Sequence, residues 1–540
     1  IAFLLYRKKV FVIGLNQVTN WQGLNLTSEQ YGNAVSRSMR SNRSYFRKIV
    51  DFELWDAVQD LFCNESDKVE LLSQLREAAL DERVSKSFRN SDATMEALEH
   101  FNHIEPTNFC WNENFRLASD LLSEMMELPK LKPLVYGDSE ELVRRLPNKD
   151  ASCGALAEGT KADNGEVIFH SYLDLKRKIA KGEKPWVPAL AFHRAQISKY
   201  SKGGILTLDK LEYKDRLVWG LSADHVAIES QYAIPFIEGL MFKCPFYAGG
   251  RDPNELRRLV KGLQNRAKYW YSLDFSKFDQ TVPSWLIRHA FSFVRRCFGE
   301  ECQNELQWIE DEFINTKIIG FDGVCYEKTL GIPSGSNFTQ VIGSICNALV
   351  ITTYLVALES GESGRRRENY VRGNFNLFPR MCRMVTMGDD NLFVSFTPMD
   401  LKDLSEYVKR NFGMTIHPDK SDNGLCRETD PRFLKREWTR SGESRDLLDL
   451  LVNVIHPERI RTYDGYSGYH LLYGLVVTYY AAFPRWSKDF LLRKMRDSNG
   501  GVEALRRLRG RNMPGVLRQM GDKSGQFFYD QANARLSKIA

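Results

Sequence analysis

Apolar positions between residues 50 and 130 recur at helical spacing, as in VDFELWDAVQDLF and SDLLSEMMEL, and predict helices there. Residues 185–245 mix basic turns with strand-like runs such as RLVWGL. From about 266 to 440 the pattern alternates. YWYSLDF predicts a strand, and Ile287, Phe291, Val294 and Phe298 then recur at helical spacing before Gly299. GVCYEKTLGIP is followed by a long helix, and two apolar runs, MCRMVTM and LFVSF, flank GDDN as the arms of a hairpin. The last hundred residues return to helices with basic faces. The pattern therefore predicts an α+β chain whose middle is wrapped by largely helical flanks.

Composition narrows this only a little. The 540 residues are 43% hydrophobic and 27% charged, which is globular, and 75 Lys+Arg against 69 Asp+Glu leave +6, a mild bias toward an anionic partner. The ten cysteines form no CxxC pair and no zinc spacing, so reduced thiols with no disulfide partner are expected. The opening IAFLLYRKKVFVIGL is apolar, but Arg7, Lys8 and Lys9 cut it into pieces shorter than the ~20 residues that span a bilayer. A pair of strands or a packed arm is expected there, and no membrane partner. No repeat or long linker divides the chain, which predicts one interlocked unit.

Three stretches carry chemistry. In SLDFSKFDQTVPSWLIR, Asp274 ends a strand and Asp279 follows five positions later, so the chain must turn between them if both serve one site; Thr281 and Pro283 resemble a helix start. In GIPSGSNFTQVIGSICNALV, Gly331, Pro333 and Gly335 impose an irregular loop and Ser336 can cap the helix that follows. Thr339, Gly343 and Asn347 then lie at i, i+4 and i+8 on one face, a setting suited to close approach of sugar or phosphate. In VTMGDDNLFVSF, Asp389 and Asp390 stand adjacent at a hairpin tip, where they repel unless a cation lies between them and a third carboxylate. Hard oxygen ligands of this kind suit Mg²⁺ or Mn²⁺, and two such ions roughly 3.5–4 Å apart are usual for in-line phosphoryl displacement. The chain holds no GxxxxGK[ST], HExxH or Rossmann glycine pattern.

In this order, DxxxxD, SGxxxT and GDD resemble motifs A, B and C of the palm of viral RNA-dependent RNA polymerases. The surrounding RLVWG, DFSKFDQTVPSWLIR, GIPSGSNFTQ, GDDN and HPER (456–459) are similar to partitivirus polymerases, with picobirnaviruses the nearest other group, both having segmented double-stranded RNA genomes. The resemblance spans about residues 190–460 and implies a right-hand fold: an N-terminal arm and outer fingers (1–130), fingers with motifs G and F (131–265), an antiparallel palm with motifs A to E (266–440, with 299–330 partly fingers) and a thumb (441–540). It implies that Asp274 and Asp389 hold two Mg²⁺ ions, replaceable by Mn²⁺, with Asp390 assisting. Asp279 would accept the 2′-hydroxyl of an incoming ribonucleotide, the group that marks RNA, helped by Ser334, Gly335 and Thr339. Many relatives carry an asparagine where this chain has Gly343, and Asn347, one turn on, is the nearest substitute.

By the same resemblance, YKDRLVWG is motif F, whose Lys214 and Arg216 clamp phosphates, and Arg194, Lys199 and Lys202 line the way in for nucleotides. SCGALAEGTKADNG (152–165) matches motif G, which guides template. Lys420 would protonate departing pyrophosphate, and Lys435 and Arg436 of RFLKREW would face product RNA. Template and product RNA, ribonucleoside triphosphates and a viral capsid protein are the implied partners, and the particle interior in the host cytoplasm the implied location. Two other readings stay open: a reverse transcriptase, whose hairpin and ribose gate normally carry aromatics where this chain has Gly388 and Asp279, and a non-catalytic RNA-binding or packaging protein of the same fold. The basic C-terminal stretch EALRRLRGRNMPGVLRQ would serve as an RNA-facing thumb surface, a solvated face or a capsid-docking patch.

Overall fold

The computed structural model describes residues 16–42, 48–81, 84–86, 89–102, 112–200, 207–360, 383–458, 461, 463, 465–498 and 500–501. The opening apolar stretch, Lys202 and the arginine-rich C-terminal stretch lie outside the described residues, as do the side chains of Lys199 and Lys214.

A four-stranded antiparallel sheet occupies the centre, in the order Asp422–Leu425, Tyr269–Ser272, Asp390–Ser395, Met384–Met387. Successive strand residues point to opposite faces, and both faces are covered. Tyr271, Phe393 and Met384 join the main apolar core with the helix Thr339–Ser360, whereas Trp270, Val385, Leu392 and Val394 pack with Leu256, Val260 and Leu263 of the helix Pro253–Gln264. That helix at 339–360 is long and apolar enough to cross a bilayer, yet its apolar window is 89% buried in protein, so it is a core helix.

A second sheet runs Asn16–Gln17, Cys325–Glu327, Lys317–Ile319, Ala189–Tyr200, Thr207–Gly220. Its long hairpin, the last two strands, leads directly into the buried helix Ala223–Lys243. Behind the site, the C-terminal carbonyls of the helix Gln303–Ile314 receive the Lys328 ammonium, at 2.6 Å from Phe313 O and 2.8 Å from Ile314 O; the same ammonium donates to Gly331 O at 2.8 Å. Burial drives the Lys328 pKa well below its ordinary value.

The packing cuts across the expected first unit, 1–130. Helices Phe52–Phe62 and Val69–Leu80 share a separate apolar cluster with Leu447–Ile455, Gly468–Thr478 and Ser487–Asp497, the region expected to form the thumb. Asp51 locks the two ends of the chain together: it caps Leu54 N–H at 3.1 Å and accepts from Tyr463 Oη at 2.7 Å and from the Arg461 guanidinium. Among the described residues, Cys63, Cys153, Cys297, Cys302, Cys325, Cys346 and Cys426 are free thiols.

Candidate active site

The strand Tyr269–Ser272 pairs with Asp390–Ser395 in the register Tyr269↔Ser395, Trp270↔Val394, Tyr271↔Phe393. Carried three residues past the last pair, this register sets Asp274 level with Asp390. Asn391 fixes that stagger with its side chain, accepting from Leu273 N–H at 2.9 Å and donating to Leu273 O at 3.2 Å. Across the other ladder Met387 pairs with Asp390, leaving Gly388 and Asp389 as a two-residue hairpin turn. Gly388 has φ 65°, a left-handed first position of the kind that matches hairpin twist and that glycine adopts without a Cβ penalty.

The turn is clamped from behind by the helix Thr339–Ser360. Ser344 Oγ accepts from Gly388 N–H at 2.8 Å, and Asn347 Nδ2 donates to Gly388 O and Asp389 O, both at 2.9 Å. Asn391 Nδ2, a second side-chain donor, adds a third donated bond, to Asp389 O at 3.1 Å. On the face carrying Thr339, Gly343 and Asn347, where the spacing predicted approach of sugar or phosphate, the last two residues meet the acidic turn instead, with Gly343 placed so that a Cβ would lie 3.4 Å from Gly388 Cα. The nucleotide role expected for Asn347 is corrected: the residue is fully buried and its Nδ2 is committed to the turn's carbonyls.

Asp274 is held from a second direction. Its N–H donates to Ser421 Oγ at 3.0 Å and its carbonyl accepts from His417 N–H at 2.9 Å, both on the loop that carries Lys420. Lys420 is exposed there, after the helix Leu401–Phe412 and the Gly413 stop at φ 70°. Past Phe275–Ser276, Lys277 takes φ 49° and turns the chain into a short helix, Phe278–Thr281, bringing Asp279 back toward the site. Asp279 O accepts from Ile332 N–H at 2.6 Å, which ties it to the loop at 331–338.

That loop is drawn against the end of the strand Thr207–Gly220. Ser334 Oγ accepts from Trp219 N–H at 3.0 Å, and a Cβ at Gly335 would stand 1.9 Å from Trp219 O. Gly335 is therefore required for close backbone packing against that strand. The Thr339 hydroxyl donates to Pro333 O, shaping the loop from within.

Electrostatics mark the same place. The Asp279 side chain reaches the water of the cleft but is enclosed by protein on the longer scale that sets its charge. Burial, with the negative charge of Asp389 added, raises its pKa to about 7 against the pull of the Arg216 guanidinium. Asp390 is raised by burial and by Asp389, with Asp274 contributing in the same direction and Lys435 opposing. Lys435 stands exposed at the turn of the hairpin formed by Arg432–Phe433 and Arg436–Trp438, where Leu434 and Lys435 both have φ 57°. Its neighbour Arg436 is buried, with its guanidinium 5.3 Å from the Tyr479 ring, and does not face a cleft; its expected RNA contact is corrected. Arg194 and Arg216 are cross-strand partners, and Arg194 Nε reaches Glu458 at 3.7 Å, bridging the hairpin to the C-terminal helical region.

Among the described residues no three His, Cys, Asp or Glu side chains close into a ready cage for a metal ion, so the expected convergence of three carboxylates on one point is not met as the side chains stand. The donor set still fits Mg²⁺: hard oxygen ligands from two segments at one sheet edge, whose mutual repulsion appears in the raised Asp390. Sequence reasoning missed Ser344, Asn391, Glu229 and His225. The last two stand at i and i+4 on a helix that is buried almost all round, a pattern that signals a buried ion pair.

A family model described as viral RNA-dependent RNA polymerase matches residues 77–452. The RNA-directed RNA polymerase of Cryptosporidium parvum virus 1 (strain KSU-1) is 36% identical over 145 residues, 26% of this chain and 27% of that protein. The genome polyprotein of vesicular exanthema of swine virus serotype A48 is 26% identical over 366 residues, 62% of this chain and 18% of the polyprotein. The aligned chain thus spans about a quarter of the first relative's length and less of the polyprotein. A crystal structure of the RNA-dependent RNA polymerase of a human picobirnavirus superposes with a TM-score of 0.64 over 95% of this chain and 96% of that one, at 13% identity, which establishes a shared fold.

Proposed function

The chain belongs to the family of viral RNA-dependent RNA polymerases, with their right-hand fold, and on that premise we propose that it joins ribonucleotides along an RNA template. The observation that carries the reading is the meeting, at one sheet edge, of Asp274 with the turn of Asp389 and Asp390, clamped by the helix Thr339–Ser360.

Asp274 and Asp389, with Asp390, would hold Mg²⁺ or Mn²⁺, in the finer reading as two ions. Bound there, the ions supply Lewis-acid polarisation and charge neutralisation for phosphoryl transfer. The chain's own groups do the rest. Arg216 and Lys214 orient the triphosphate, and Asp279 accepts the ribose 2′-hydroxyl. The 3′-hydroxyl loses its proton to solvent as its oxygen bonds to the α-phosphorus and the bond to pyrophosphate breaks, and Lys420 gives the departing pyrophosphate a proton that it regains from solvent. Lys435, beside Asp390, steadies the product strand. Positioning and fixed charge account for most of the catalysis.

The finer identity also belongs to this proposal: an enzyme that replicates and transcribes a double-stranded RNA genome inside a viral particle, docked on capsid protein. The motif text supports a partitivirus type, and the fold likeness supports the picobirnavirus alternative.

The test supplies purified protein with single- and double-stranded RNA, ribonucleoside triphosphates and Mg²⁺, with and without primer. Labelled product complementary to the template, lost on chelation, is expected, and its size reports whether initiation needs a primer. No product on any template, with Mg²⁺ or Mn²⁺, would refute the reading.

A further inference from the structure

Glu229 is completely buried, yet it is a carboxylate. Burying such a group costs several kcal/mol unless partners satisfy it, and its partners are specific. One oxygen accepts from Ser336 Oγ at 2.6 Å and the other from Asn337 N–H at 2.8 Å, both on the loop at 331–338. The Asn337 side chain donates to Val226 O at 3.1 Å, a third tie to the same helix. Behind Glu229 stands His225, its Nε2 3.4 Å from Oε1, with its ring 4.8 Å from Trp308. Lys161, also buried, brings a second cation toward Glu229 from the turn-rich segment 151–165. The loop is therefore hung on a charged anchor at one end, while at the other Ile332 N–H grips Asp279 O.

We propose that Glu229, backed by His225, is a positioning residue that sets the loop at 331–338 and through Ile332 places Asp279 for ribose recognition. The inference rests on the polymerase reading. It assigns to the helix Ala223–Lys243 a part in nucleotide selection that none of its residues performs by touching substrate. Glu229→Ala removes all the ties to the carboxylate. Glu229→Gln keeps an oxygen for Asn337 N–H and an amide for Ser336 Oγ, but gives up the charge that His225 and Lys161 face.

The test measures kcat/KM for matched ribo- and deoxyribonucleotides in wild type, Glu229→Ala, Glu229→Gln and Ser336→Ala, together with hydrogen exchange at the Asn337 amide. Glu229→Ala should lower ribonucleotide use by about ten- to a hundredfold, the range set by small misplacements, and deoxyribonucleotide use much less. It should also speed exchange at Asn337, and Glu229→Gln should recover most of both effects. Equal losses for the two sugars, or unchanged exchange, would overturn the positioning role. Should Glu229→Ala not fold, Ser336→Ala decides from the loop side: a reduced sugar ratio supports the anchor and an unchanged ratio overturns it. A wild type that incorporates neither nucleotide overturns the polymerase reading and the positioning role with it, whereas an active wild type with an unmoved sugar ratio in the variants overturns the positioning role alone.

Discussion

At the acidic turn every tie is neutral: Ser344 Oγ takes the Gly388 N–H, and the amides of Asn347 and Asn391 hold the carbonyls of Gly388 and Asp389. At the neighbouring loop two of the three ties to the helix Ala223–Lys243 converge on a buried carboxylate backed by an imidazole. A neutral clamp does not respond to pH and adds no charge beside carboxylates that already repel one another. A charged anchor is stiffer in a low dielectric, but it depends on the protonation of its partner. The turn that carries Asp389 and Asp390 is thus fixed by neutral ties, and the loop at 331–338 is held by a group that can titrate.

The sharpest way to break this picture is to remove the charge that the neutral clamp presents. Asp389→Ala and Asp274→Ala should each lower nucleotide incorporation by on the order of a thousandfold or more. Both side chains are exposed, so the melting temperature should hardly move. Wild-type rates in either purified variant would remove the assignment.

Next in size is the clamp itself. Asn347→Ala strips two hydrogen bonds from the turn and leaves the half-buried Gly388 carbonyl without its side-chain donor, which should destabilise the fold by about 1–3 kcal/mol. Loosening the acids should also lower kcat by about tenfold or more. Denaturant titration and single-turnover kinetics read the two effects separately, and an unaltered kcat would show that Ser344 and Asn391 suffice.

The loop should show what the turn does not, a pH dependence set by His225. Burial alone would lower the His225 pKa, but Glu229, together with Glu312 from the helix Gln303–Ile314 and Asp224 from its own helix, holds it above the ordinary 6.5. A group raised in the folded state stabilises fully below its unfolded pKa, and that stabilisation is lost as pH rises through the folded value. Exchange at Asn337 should therefore accelerate with rising pH above about 6.5, beyond the intrinsic change, and His225→Gln should flatten the curve. Exchange at Gly388 should follow the neighbouring carboxylates and stay unchanged in His225→Gln; a Gly388 profile that flattens together with that of Asn337 in this variant would erase the contrast.

The smallest effect is expected at Lys420. Lys420→Leu should slow the chemical step several-fold, less than the loss of Asp274 or Asp389, because in the proposed mechanism it would meet only the leaving group. Equal single-turnover rates would leave Lys420 as a surface residue of the loop that holds Asp274.

Much of the site was legible because it is written locally. Gly388 before two acids between apolar runs specifies a hairpin, and the strand-to-corner path from Asp274 to Asp279 was readable from Thr281 and Pro283. The helical spacing of Thr339, Gly343 and Asn347 named the face that meets the turn. The partner of that face was misjudged. The spacing was taken to present a sugar contact, and the structure presents Asn347 to backbone. Arg436 failed for a similar reason: Lys435 stands exposed in the left-handed turn, and Arg436, the first strand residue after it, turns in toward Tyr479.

By itself the sequence determined the local conformations, the order of the three acidic and polar stretches and the identity of the acids, because turn chemistry, periodicity and side-chain charge act over a few residues. Only the tertiary structure decided that helices Phe52–Phe62 and Val69–Leu80 pack with the C-terminal ones and that Asp51 finds Arg461 and Tyr463. It alone decided that Glu229 meets Ser336, a hundred residues away in the chain. Contacts of that range are fixed by which surfaces exclude water together, and a linear pattern records each surface without recording what covers it.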